Sequence, residues 1–274
     1  MSAAGMDNGL GARLSRVSAM VQRHWYLLRH SWPRTIELVY WPTVQMLMWG
    51  FLQVWLAGES GPVATAAGVF IGGVLLWDVL FRGQLGFSIT FLEEMWARNL
   101  GHLMMTPLRP SEFVASLMVM SIIRVAIGFI PVTFLALWFF GFNLWSMGLA
   151  LVAFFANLYL TSWSIGLFVS GLVLRHGLGA ENLAWSLSFL LLPLCCVYYP
   201  LETLPGWLQS VSLCFAPTYV FEGMRALLLE QTFRSDLMVR ALAINVAYFA
   251  LAAIAFRSLF DGARRTGALL QMGE

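Results

Sequence analysis

Three groups of side chains in this 274-residue chain have types and spacings that chemistry could use, and all lie inside long apolar runs. Asp78 and Arg82 stand one helical turn apart, acid first, the favourable order for an i, i+4 ion pair. Arg124 lies deep in another run with no acid on its own face, so it requires a partner on another helix or water in a pathway. Gln45, Trp49 and Gln53 form an i, i+4, i+8 stripe, and amides at that depth belong against protein or water. Such groups suit a solute pathway, a gate or a subunit interface. A self-neutralising structural pair and ordinary helix packing are the plain alternatives. Catalysis is not indicated. His24, His30, His102 and His176 fall outside the apolar runs, and there is no His-Glu-X-X-His and no Cys/His metal spacing. Cys195, Cys196 and Cys214 give neither a disulfide framework nor a metal site. No catalytic residue, metal or cofactor of its own is expected of the chain.

The elements that position these groups follow from composition. Hydrophobic residues make up 59% of the chain and charged residues 11%, with a mean hydropathy of +0.76. That is too little charge to coat a globule, so lipid must solvate most of the surface. The net charge of +2 is too balanced to suggest a nucleic-acid partner. The cations are all arginine, a codon signature that points to a GC-rich bacterial genome. With no lysine there is no P-loop, which must end in Gly-Lys-Ser or Gly-Lys-Thr, so any ATP-driven motor sits on another polypeptide.

The expected fold is an all-α integral membrane protein with six transmembrane helices. Residues 1–34 carry a helical pattern in which Leu10, Leu14, Val17, Val21, Trp25, Leu28 and Trp32 share one face, with Arg16, Arg23 and Arg34 opposite. That pattern suits a helix lying in the membrane interface. Residues 35–274 hold the spans, at about 35–57, 63–91, 113–140, 144–174, 180–199 and 237–260, with a turn from Gly58 to Pro62 after the first. Between the second and third, Leu92, Trp96, Leu100 and Leu103 share one helical face while Glu94, Arg98 and His102 share the other. This amphipathic helix runs over about 92–107, stopped by Pro107. The stretch at about 200–236 is apolar but cut by Pro200, Pro205, Gly206 and Pro217, so 203–214 and 217–230 read as two half-helices that dip in and return. In alternate loops and tails, eleven arginines fall on the side of both termini and three on the other, which places both termini in the cytoplasm.

Glu93-Glu94-X-X-X-Arg98, running through Asn99 and His102 to Leu103 and Thr106-Pro107-Leu108, resembles the coupling-helix region of ABC type-2 exporter permeases. Pro200-Leu201-Glu202-Thr203-Leu204-Pro205-Gly206-Trp207, then Ala216-Pro217-Thr218-Tyr219 and Glu222-Gly223-X-Arg225, resembles the same family's outer re-entrant hairpin. Asn99-Leu100 departs from the Gly-Thr of many members. The resemblance implies a homodimer of permeases in the bacterial cytoplasmic membrane, joined to two ATPase subunits that hold ATP and Mg. Glu93, Glu94, Trp96, Arg98, Asn99, His102, Thr106 and Pro107 would couple to the ATPase. Gln45, Trp49, Gln53, Asp78, Arg82 and Arg124 would lie on the pathway or the dimer interface, and spans one, two and five would line the path. The implied cargo is an amphiphilic, lipid-linked or saccharide-type molecule moved outward through a membrane whose lipids surround the spans. Drug efflux by the same family, a passive channel and a structural membrane subunit are the alternatives.

Overall fold

The computed structural model describes residues 9–60 and 67–266. Gly61, Pro62 and the expected start of the second span at Val63 lie outside them. The described residues form α1 (Leu10–Arg29), α2 (Trp32–Ser60), α3 (Ala67–Trp96), α4 (Leu100–Met105), α5 (Pro110–Phe140), α6 (Leu149–His176), α7 (Leu183–Leu194), α8 (Gly206–Ser212), α9 (Ala216–Glu230) and α10 (Ser235–Thr266). Short 3-10 turns at Leu144–Met147, Leu178–Ala180 and Leu201–Thr203 join some of them. The chain is an all-helical, multi-pass membrane protein.

Helices α3, α5, α6 and α10 are long and apolar enough to cross a bilayer. At about 1.5 Å per residue each exceeds the roughly 30 Å hydrocarbon core. Helix α2 has the length, at 29 residues, but Glu37, Gln45, Gln53 and an internal Pro42 dilute its apolar character. The span expected over 180–199 is not one continuous helix. Helix α7 has 12 residues and stops at Leu194, after which Cys196 turns left-handed at φ 53°. It is too short to cross alone.

Helix α3 is the centre of the molecule: 83% of its most apolar stretch is buried, against 22% for α10. Lipid tails are as apolar as leucine, so close approach and interhelical hydrogen bonds must hold the helices together. Gly128 lets α5 cross α2 directly beneath the Leu38 carbonyl, where any Cβ would collide with it. Ser162 Oγ on α6 donates to the Leu80 carbonyl of α3 at 2.7 Å. Asn245 on α10 donates to Asn157 O at 2.9 Å and accepts from Thr161 Oγ1 at 2.7 Å.

The contacts also sort the loops by end. Trp96 Nε1 donates to Glu181 Oε2 at 3.1 Å, and Arg16 pairs with Glu112. These bonds put α1, the α3–α4 elbow, the α6–α7 loop and the start of α5 at one end. Phe142 and Met224 pack beside Gly72 at the other end, with α9.

Candidate functional site

Three acids at the ends of α3 and α5 gather arginines from three helices, α1, α2 and α5. Arg16 holds Glu112 through two parallel bonds of 2.8 and 2.7 Å, and the same carboxylate accepts the Arg109 backbone N–H at 3.0 Å. Arg23 Nη1 reaches Glu94 Oε1 at 2.5 Å, and Asn99 Nδ2 donates to Glu94 Oε2 at 2.9 Å. Arg124 Nη2 bonds both Glu93 oxygens at 2.9 Å, and Arg34 Nη1 adds a contact of 3.2 Å. The Arg124 backbone sits beside Gly86, so its guanidinium runs about two turns along α3 to reach Glu93, as a long cationic side chain does when its head seeks the membrane edge. The partner that Arg124 requires is therefore an acid on another helix.

The side chains of Glu93 and Glu94 are 8% and 1% exposed, and both are bonded to donors within the chain. Residues 92–107 do not form one helix. Arg98 adopts φ 51°, Asn99 N–H bonds Glu94 O and Arg98 N–H bonds Met95 O. That pair of bonds is the Schellman closure of α3, with arginine where glycine is usual. The chain turns at an elbow and restarts as the six-residue α4. Trp96, Arg98, His102, Thr106 and Pro107 remain exposed on the elbow, while Asn99 is half-buried against Glu94.

Helix α1 docks through Met20, His24 and Leu28, flanked by Arg16 and Arg23. Its arginine face turns toward protein, and Leu10, Leu14 and Trp32 of the apolar stripe stay exposed. His24 is fully buried and neither ring nitrogen has a hydrogen-bond partner among the described residues. Burial first, then the positive charge of Arg23, lowers its pKa to about 4. Glu94 Oε1 lies 3.6 Å from Nδ1, but that carboxylate is already bonded to Arg23 and Asn99, so the ring stays neutral. The sequence holds a trace of this clasp in three arginines on one face of an amphipathic helix; their acids, far away in the chain, are what the pattern does not reveal.

A second cluster lies further along α3. Arg82 Nε donates to Asp78 Oδ2 at 2.9 Å, leaving Asp78 Oδ1 buried without a partner among the described residues. Nearby, Gln45 lies beside Tyr198, and Trp49, Phe70 and Tyr198 pack with ring centroids 4.9–5.4 Å apart. Gln53 Oε1 is also buried and has no partner among the described residues. Gln45 and Trp49 thus face α3 and Tyr198 within the protomer, and a different stripe of α2 is exposed: Trp41, Met48, Phe51 and Trp55.

At the opposite end, side chains satisfy the carbonyls that α7 leaves open where it breaks. Tyr199 Oη donates to Pro193 O, Ser212 Oγ to Leu194 O, and Arg225 Nη1 to Cys196 O at 2.8 Å and Val197 O at 3.5 Å. Glu222 holds Arg225 at 2.7 Å and accepts the Leu201 N–H at 2.8 Å. Pro217 opens α9 and is buried, whereas Pro200, Pro205 and Trp207 are exposed. Glu222 and Arg225 are the staple of the hairpin.

A search of curated proteins found no match. The profile of the family described as ABC-2 type transporter matches residues 16–229. That stretch begins at the first arginine of the clasp and ends inside α9, so it takes in all three clusters. The chain belongs to the ABC-2 type transporter family, as a membrane permease subunit whose ATPase is a separate subunit.

Proposed function

We propose that two copies of this chain, with two ATPase subunits holding ATP and Mg, form an exporter in a bacterial cytoplasmic membrane. The cargo is an amphiphilic, lipid-linked or saccharide-type molecule. Helix α1 lies in the cytoplasmic interface with Leu10 and Leu14 toward lipid, and Trp32 at the start of α2 faces it too. Helices α2, α3, α5, α6 and α10 cross, and α7 with the α8–α9 hairpin completes a sixth crossing by dipping in from outside. Both termini are cytoplasmic. The exposed face of α2, with Trp41, Met48, Phe51 and Trp55, is the seam between the two copies.

One observation carries this reading: an exposed elbow flanked by acids of α3 and α5 that pair with arginines of α1, α2 and α5. The Arg124–Glu93 pair is buried at both ends, and removing one partner of such a pair costs about 3–5 kcal/mol. The partly exposed Arg16 and Arg23 pairs tie α1 to acids of the same cluster, so α1 and the elbow move as one body. An ATPase pressing on Trp96, Arg98, His102, Thr106 and Pro107 would then tilt α3 and α5 together. Glu93 and Glu94 transmit that push and do not touch the partner. Tilting α3 would part the Trp49–Phe70–Tyr198 cluster. The buried acceptors Asp78 Oδ1 and Gln53 Oε1, each costing about 1–3 kcal/mol while unpaired, would meet water or the hydroxyls of the cargo.

The test is Arg98→Glu in the reconstituted transporter. It should abolish transport-coupled stimulation of ATP hydrolysis, about tenfold or more, while the permease keeps its helix content and its partner. Unchanged coupled turnover would remove the elbow from the mechanism.

A further inference from the structure

A groove of about 640 Å³ runs between the start of α5 and the end of α10, at the end of the molecule that carries α1 and the elbow. Its two halves differ in chemistry. The floor is apolar, with Val114 and Met118 on one wall and Phe249 and Phe256 on the other. The mouth carries Arg109, Arg257 and Arg264 against a single acid, Asp261. Positions 249, 253, 256, 257, 260 and 264 recur at i, i+4, i+7, i+8, i+11 and i+15, so one face of α10 presents both the aromatic trench and the cations above it. Arg257 and Arg264 are exposed and form no ion pair among the described residues. The groove beneath α7, of about 630 Å³, makes the contrast: its lining, from Thr161 to Leu194 and Tyr248, holds no charged residue at all.

We infer that the α5–α10 groove binds an anionic phospholipid of the inner leaflet, its phosphate held by Arg257 and Arg264 and one acyl chain laid along Val114, Met118 and Phe249. An apolar trench that ends in Arg257 and Arg264, which form no ion pair among the described residues, matches a molecule with a charged head and a long tail. Basic pockets between membrane helices on the cytoplasmic side select such headgroups. Asp261 disfavours a carboxylate-rich protein segment at the same mouth and leaves a net positive charge suited to one phosphodiester. The inference rests on α5 and α10 crossing the membrane with this end inward, and not on export or on the identity of the cargo.

Native mass spectrometry of the full-length chain in detergent, titrated with phosphatidylglycerol or with phosphatidylcholine of the same acyl chains, tests it. Phosphatidylglycerol should be retained about tenfold more strongly than phosphatidylcholine. R257Q/R264Q should erase that preference while weak phosphatidylcholine adducts persist, and Arg240→Gln at the far end of α10 should leave it intact. Val114→Trp, which fills the trench and leaves every charge in place, should reduce retention of both lipids. Equal retention of the two lipids by the wild type, or an undiminished preference in R257Q/R264Q, overturns the assignment. A soluble glycerophosphate that binds as tightly as the intact lipid does so too, since the trench would then contribute nothing.

Discussion

Arg98 stands at φ 51°, a region that glycine enters freely and side chains with a Cβ avoid. Arg98→Gly should therefore raise the thermal stability of the isolated permease by up to about 1 kcal/mol. If the ATPase reads the cation, as proposed, this variant should also lose ATPase coupling as Arg98→Glu does. A stabilised variant with normal coupling would place the importance of this position in its backbone alone. Glu93 and Arg124 make a sharper test of the clasp. In a cycle of E93Q, R124Q and the double variant, the coupling energy should reach about 2 kcal/mol or more, because each single variant strands a buried partner. A value near zero would mean that the pair is solvated. His24 supplies a pH dependence whose sign follows from its depressed pKa of about 4. The undocked helix takes up a proton below about 6.5 and the docked one does not, so docking is strongest above that pH and weakens as pH falls toward 4. By pH 5 the loss should be about 2 kcal/mol, read as faster hydrogen exchange along α1, and His24→Leu should flatten the profile.

At the scale of elements, the apolar runs and their breakers were legible because each is a local matter of composition and steric fit. Gly141 and Pro110 bound α5 where the pattern changes, and Pro217 opens α9. The break after Leu194 was not legible. Nothing local in Leu-Pro-Leu-Cys-Cys-Val-Tyr-Tyr forbids another helical turn more strongly than Pro131 does inside α5, which continues unbroken. What ends α7 is the supply of donors from elsewhere: Ser212 and Arg225 stand 18 and 29 residues further along the chain. Removing that supply should unravel the hairpin. Arg225→Gln, which leaves Cys196 O, Val197 O and Glu222 without their cation, should cost about 3 kcal/mol. Limited proteolysis should then open the chain near Leu201–Thr203 first, and an unchanged cleavage pattern would assign Arg225 another role. The same logic explains the elbow. An amphipathic wheel drawn over 92–107 assumes unbroken helix, and the buried demands of Glu93 and Glu94 override it.

For the whole molecule, the arginine asymmetry between alternate loops agrees with the grouping of α1, the elbow and the α6–α7 loop at one end. That grouping follows from chain order and needed no coordinates. The ion pairs that join these parts were beyond reach of the sequence, since they link residues 96, 71 and 31 positions apart and depend on how α1 and α5 lie across α3. On the proposed reading, one end of the permease seats the ATPase, and the other carries the hairpin. Placing a photo-reactive amino acid at His102, or separately at Trp207, in membranes containing the whole transporter tests this most directly. His102 should capture the nucleotide-binding subunit and Trp207 should not. Capture from Trp207, or none from any exposed elbow position, would contradict it.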